Sequence, residues 1–237
     1  MPGTLLFARY AYPPNELGYC GPDGAGALLR SEAPDEIGRR ARQFEGAWPY
    51  LEFLARCAGI TDPLDEAVVQ AYWIGNGLLC RGAPEDLVAF LRDRFAGQAG
   101  GTWARAGGRA VAHHSFHVFE VYPWATLLRR TGNAAAVRVL DRCRIRTGVV
   151  CSVSGEDATV VCRPLVWTGS ALVPGPERVE RAAWSAAGRS LLPGLSPGDR
   201  VALHWDWICD VVTAEQADYL AAYEERQLRR ISSAGGI

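Results

Sequence analysis

The hydrophobic positions of this chain follow a helical period through its first half. Between about residues 24 and 95 apolar residues recur three and four apart, as in Pro49–Cys57, which is the spacing of one buried helix face. Thr61–Glu66 has the composition of a helix start, with a capping residue followed by proline and acids. A further short helix is predicted at Ala134–Leu140. We therefore expect residues 1–140 to form a helical domain.

After this helical half the pattern changes to the alternation that is typical of β-strands. Ile145–Val153 alternates with period two, a polar turn follows, and Ala158–Cys162 supplies the returning strand of a hairpin. Val201–Trp205 comes after a Pro-Gly-Asp turn and predicts another strand, and an amphipathic pattern after Thr213 predicts a closing helix. The expected fold class is α+β, with a second, β-rich domain at residues 141–237 that ends in a helix.

Composition and charge exclude several classes of function. The chain has 237 residues, of which 49% are hydrophobic and 22% charged, enough to bury one large core or two modest ones. Its formal net charge of -1 gives no basic surface for nucleic acid or for a membrane. No signal peptide and no bilayer-spanning run is visible, so we expect a cytoplasmic protein. Its seven cysteines include no C-x-x-C pair, which argues against a disulfide framework and a zinc ribbon.

The histidines are the main clue to chemistry, because all four lie in two short segments. His113, His114 and His117 form the first, and His204 closes a stretch that begins at Cys143. His113 and His117 are four apart and are expected to share a face in either a helix or a strand. On a helix His114 would point toward the same site. A polar cluster between the two domains is the alternative interpretation of this segment.

Polar neighbours are expected to tune these candidate residues. Glu120 and Tyr122 are close enough in sequence to orient the histidine rings. Asp206 would share the face of His204 if the strand continued, and would then fix its tautomer. Three arginines alternate around the cysteine at positions 142, 144 and 146. They would either lower the pKa of Cys143 or bind anionic ligands, although a solvated strand face is the simpler interpretation.

Four motifs of the second half, taken in order, resemble the HypC/HupF family of nickel-iron hydrogenase maturation chaperones. They are a cysteine that opens a Gly-Val-Val strand at Cys143–Val150, a second strand at Gly155–Val161, a Pro-Gly-Asp-Arg-Val-Ala-Leu-His element at Pro197–His204, and an acidic helix that starts at Thr213–Ala217. The resemblance covers about residues 141–230 and leaves the first half unexplained.

This resemblance implies a small five- or six-stranded OB-like barrel with a C-terminal helix. It also implies that Cys143 and His204 help to hold an iron centre while its cyanide and carbonyl ligands are installed on a partner. The implied partner is the hydrogenase large-subunit precursor or a maturation scaffold. Two features depart from the family. Its cysteine becomes the chain terminus whereas Cys143 is internal, and the segment Arg163–Leu192 is longer than the compact family pattern.

The sequence thus predicts an accessory factor that binds or transfers an iron centre, because low-spin iron favours thiolate together with imidazole. Cys143 and His204 are expected to approach one another, with His113, His114 and His117 as auxiliary ligands. One alternative is an enzyme in which Cys143 or another thiol, Cys209, is a nucleophile activated by histidine. A second is a metal-free adaptor that binds the large-subunit precursor.

Overall fold

The computed structural model describes residues 1–233 and has the α+β architecture that the sequence predicts. Helices account for most of the first half, and they are joined by irregular segments and by short 3₁₀ turns at Ala25–Leu29, Gly77–Cys80, Trp103–Arg105 and Gly107–Arg109. The helices are α1 (Gly3–Glu16), α2 (Pro34–Ala41), α3 (Trp48–Ala58), α4 (Glu66–Trp73), α5 (Pro84–Arg94), α6 (His114–Phe116, continued by a π turn at His117–Val121), α7 (Trp124–Thr131) and α8 (Ala134–Cys143).

The strands follow directly after α8. They are β1 (Arg146–Ser154), β2 (Asp157–Cys162), β3 (Leu165–Trp167), β4 (Leu172–Pro174), β5 (Arg178–Ala183), β6 (Arg200–His204) and β7 (Trp207–Val211), and helix α9 (Ala214–Ser233) comes last. Thr213 caps α9 as expected, since its hydroxyl accepts from the Gln216 amide while the Gln216 side chain accepts from the Thr213 amide.

Five of these strands close into a barrel in the order β1-β2-β5-β7-β6. The predicted hairpin is confirmed, because β1 and β2 pair in antiparallel register from Gly148 opposite Cys162 to Ser154 opposite Asp157. The barrel closes between β5 and β7 through one parallel pair, Ala183 with Trp207. Strands β3 and β4 form a separate hairpin within the long segment that departs from the chaperone pattern.

One apolar core runs through both halves of the chain. Side chains of α1, α3 and α4 are buried together with Ala202 of β6, Cys209 of β7 and Leu220 of α9. Helix α1 contacts both α4 and the strands β6 and β7. Any group placed between the helices and this edge of the barrel is therefore shielded from water on both sides. None of the helices within residues 1–233 combines the length and apolar character that a bilayer crossing requires.

Candidate metal centre

Three potential metal ligands converge where the helices meet the barrel. His114 begins α6, Cys143 ends α8 and His204 ends β6. One ligand atom from each lies within 4.8 Å of the other two, and all three residues are buried. The expected approach of Cys143 to His204 is thus observed. The helical half adds the third donor, His114.

The register of the barrel explains why Cys143 and His204 meet. Strands β1 and β6 pair with Arg146 opposite Leu203, so the residues just before β1 lie beside the end of β6. The amide of Trp205 donates to the carbonyl of Arg142 over 2.7 Å and joins the end of α8 to the turn after His204. Cys143 is the last residue of helix α8, whereas β1 begins three residues later at Arg146. The expectation that Cys143 opens a strand is therefore wrong.

A main-chain carbonyl fixes the tautomer of His204. Its Nδ1 lies 2.7 Å from the carbonyl oxygen of Tyr10, which can only accept, so Nδ1 carries the proton and Nε2 keeps a lone pair. That carbonyl is free because the residues three and four positions later are Pro13 and Pro14, which have no N–H. Asp206 does not have this role, because β6 ends at His204 and the Asp206 carboxylate pairs with an arginine instead.

A second main-chain carbonyl orients His114. Its Nε2 lies 2.8 Å from the carbonyl oxygen of Cys143, so Nε2 donates and Nδ1 keeps the lone pair. The Tyr72 hydroxyl donates its one proton to the Gly46 carbonyl over 3.0 Å, and its oxygen lies 3.3 Å from that Nδ1. Each histidine of the triad therefore keeps one ring nitrogen without a proton.

Burial keeps all three donors uncharged in the metal-free protein. It lowers the pKa of His114 to about 4 and that of His204 well below its usual value. Burial, reinforced by the nearby Cys20 thiol, raises the pKa of Cys143 far above its usual range. The thiol is therefore protonated at neutral pH, and a cation that binds here must displace that proton.

The alternative in which the neighbouring arginines lower the pKa of Cys143 is wrong, since that pKa is raised and carboxylates neutralise the arginines. Arg142 and Arg146 both lie 2.6 Å from the same oxygen of Glu180. Arg144 pairs with Asp141 over 3.1 Å. Arg144 and Arg146 are also buried, so these side chains form an internal ionic network and not a solvated strand face.

His113 and His117 do not share a face, since His113 lies in extended conformation before α6. The ring of His113 stacks on Tyr223 at 4.5 Å, and its Nδ1 accepts from the amide of Ser115. His117 instead borders the space next to the triad. Its Nδ1 lies 3.2 Å from the Tyr50 hydroxyl, and its buried Nε2 has no hydrogen-bond partner. Neither residue belongs to the converging group.

The predicted supporting residues contribute less than expected. Glu120 accepts a hydrogen bond from Thr102 and pairs with Arg230, so it holds no histidine ring. The ring of Tyr122 contacts that of His117 edge-on at 4.4 Å. Ring packing is therefore the contribution that Tyr122 makes to this region.

The triad borders a cavity of about 280 Å³ with a mainly aromatic lining. Tyr19, a residue that is 58% exposed, stacks on Trp205 at 4.3 Å and borders the cavity. The cavity is also bordered by Phe44, Tyr72, Trp73, Tyr122, Trp124 and, among groups that bind metals, by Cys20 and His117. No pattern in the sequence predicts a role for Cys20, Tyr72 or Trp73. The paired prolines in α1 do indicate, from sequence alone, that a carbonyl of that helix lacks its helical donor and can accept a hydrogen bond from another residue.

Over residues 1–235 the chain matches the family described as "Family of unknown function (DUF6390)", and it belongs to that family. No curated protein and no solved structure matches it.

Proposed function

We propose that this member of the DUF6390 family is a metal-binding accessory factor that holds a transition-metal ion between His114, Cys143 and His204. We further propose that its cargo is an iron centre, handled in the cytoplasm during nickel-iron hydrogenase maturation. The convergence of three buried donor atoms within 4.8 Å carries the first part of this proposal.

The donor set fits a borderline or soft metal. Two imidazoles and one thiolate suit iron, zinc, cobalt, nickel or copper, whereas magnesium and calcium favour oxygen ligands. Three protein ligands leave at least one coordination position for the cargo's own ligands or for a partner. The Nε2 of His204 is buried and has no hydrogen-bond partner. Such an orphaned atom costs about 1–3 kcal/mol unless something binds it, and a metal ion would do so.

The assignment to iron and to hydrogenase maturation is supported by the resemblance of residues 141–230 to the HypC/HupF chaperones. Their cysteine offers a terminal amine next to its thiol, which the internal Cys143 lacks. His114 comes from the helical half and brings a nitrogen donor to the same place. In this proposal the first half of the chain supplies the nitrogen donor that the barrel alone lacks. The proposed partner is the large-subunit precursor or a maturation scaffold.

The enzyme alternative receives less support from the thiols themselves. Burial raises the pKa of both Cys143 and Cys209, whereas a nucleophilic cysteine needs a lowered pKa. Cys209 also lies in the apolar core and outside the triad. The metal-free adaptor does not account for the convergence of three buried metal donors within 4.8 Å.

Metal analysis of protein purified without oxygen tests the proposal. Chelator-stripped protein is titrated with Fe²⁺, and one ion per chain is expected in the wild type. Cys143→Ser and His204→Ala should lose it, while His113→Ala is the matched control because His113 is a buried histidine outside the triad. Retention of iron by both triad variants would overturn the proposed site.

The hydrogenase assignment needs its own experiment. We expect the protein to co-purify with the large-subunit precursor, and deletion of the gene to leave that precursor immature. Normal maturation after deletion would refute the assignment to hydrogenase without affecting the metal site.

A further inference from the structure

The cavity next to the triad shares a wall with a second, larger cavity. This outer cavity has a volume of about 500 Å³ and is bordered by the exposed residues Gln43, Glu45 and Arg94, so it faces solvent. Five residues border both spaces, namely Tyr19, Cys20, Gly46, His117 and Tyr122. The inner cavity and the polar outer cavity are therefore neighbours across these side chains.

Two of the shared residues carry the same donor atoms as the triad. Cys20 is a half-buried free thiol. His117 is only 3% exposed, and its Nε2 is buried without a hydrogen-bond partner. A thiol and an unsatisfied imidazole nitrogen thus stand between solvent and the triad, although neither belongs to the converging group.

Gly46 keeps the space beside His117 free. A Cβ at Gly46 would lie 2.8 Å from Nε2 of His117 and 3.5 Å from the hydroxyl of Tyr122. Contacts under 3.0 Å force a displacement, so a side chain at position 46 would press on the nitrogen that lacks a partner. Glycine therefore avoids a steric contact with this buried nitrogen at the wall that the two cavities share.

We propose that Cys20 and His117 form a relay through which a thiophilic divalent metal ion passes from the outer cavity to the triad. This inference rests on the proposed function, because it concerns how the same site is filled. The ion exchanges water for the Cys20 thiolate and the His117 imidazole, and the Cys20 proton leaves to water. It then moves to Cys143, whose proton is taken up by Cys20, so that one proton is released overall.

Stopped-flow loading with Co²⁺ tests the relay, because the absorption of a cobalt–thiolate bond reports on both the rate and the final occupancy. Cys20→Ser should bind as much Co²⁺ as the wild type at equilibrium, with the same spectrum. Its loading should be slower, because the thiolate that first captures the ion is missing. Gly46→Ala should also slow loading. Cys57→Ser is the matched control, since Cys57 is another half-buried free thiol that borders neither cavity.

The outcomes separate this inference from the proposed function. If the wild type takes up neither Fe²⁺ nor Co²⁺, the proposed function fails and the relay fails with it. If the wild type binds and both Cys20→Ser and Gly46→Ala load at the wild-type rate, the relay is wrong while the metal site stands. If Cys20→Ser loses occupancy or changes the spectrum, Cys20 is a resident ligand and the relay is again overturned.

Discussion

Acidification should strongly destabilise the metal-free protein, because its four histidines are all buried in neutral form. Burial lowers the pKa of His113 and His117 to about 3 and that of His114 to about 4, and that of His204 falls well below its usual value. An unfolded histidine has a pKa of about 6.5. Below that pH the unfolded chain binds protons that the folded chain does not, so stability falls as the pH falls.

The expected loss follows from these four groups. Between pH 7.5 and 5.5 each histidine that stays neutral in the folded state lowers the free energy of unfolding by about 1.4 kcal/mol, so four histidines lower it by about 5–6 kcal/mol. Asp210 and Glu224 act in the opposite sense. Burial raises their pKa, so they take up protons in the folded state and stabilise it as the pH falls. This offset keeps the net loss below about 5–6 kcal/mol, which is still a large part of the 5–15 kcal/mol typical of a folded protein.

Urea unfolding of chelator-treated protein at pH 7.5 and 5.5 measures this loss directly. His113→Asn is the matched variant, because asparagine still caps the amide that His113 caps but does not titrate. It should reduce the loss by about 1.4 kcal/mol, which corresponds to one proton. A change in unfolding free energy below about 1 kcal/mol between the two pH values would refute the reasoning, as would a pH dependence that His113→Asn leaves unaltered.

Three further results are expected. Glu180→Gln should lower the unfolding free energy in urea by about 3 kcal/mol, because it leaves the buried Arg146 without its closest carboxylate. The control Glu177→Gln, which alters an exposed ion pair, should change that free energy by less than about 1 kcal/mol. Equal effects of the two variants would contradict this. Gly148→Ala should lower the unfolding free energy by about 1–3 kcal/mol, since its Cβ would come within 2.4 Å of the neighbouring strand. A Cβ at Gly194 meets nothing within 4 Å, so Gly194→Ala should leave that free energy unchanged. Fe²⁺ at 100 times its dissociation constant should add about 2.7 kcal/mol to the wild type in the same assay, and no added stability would contradict binding to the folded state.

Local patterns predicted several elements correctly because local physics determines them, whereas strands β3, β4, β5 and β7 had no prediction of their own. The period-two hairpin of β1 and β2 and the cap of α9 at Thr213 depend on residues close in sequence. Two of the errors near the site arise at helix ends. His113 precedes α6 and Cys143 ends α8, and helix ends depend on what each terminus contacts in the fold.

The candidate site was only partly accessible to sequence reasoning. Cys143 and His204 were paired through a resemblance, whereas His114 joins them because tertiary structure brings α6 to the end of the barrel. The spacing of His113, His114 and His117 favoured one common face, but it carried no information on which of them lies outside the helix. The role of Cys20 depends on two cavities that touch, and no local pattern encodes that arrangement.

The triad orients its imidazoles with main-chain carbonyls, and this choice determines the charge of the site. The carbonyl of Cys143 lacks a helical donor because it ends α8, and that of Tyr10 lacks one because prolines occupy positions 13 and 14. A carboxylate in either place would add a negative charge and favour protonated histidine. Neutral carbonyls fix the tautomers of His114 and His204 without that charge. The Cys143 thiolate is then the one charged ligand of the proposed centre, so a divalent ion bound there keeps a net positive charge that anionic ligands of the cargo would neutralise.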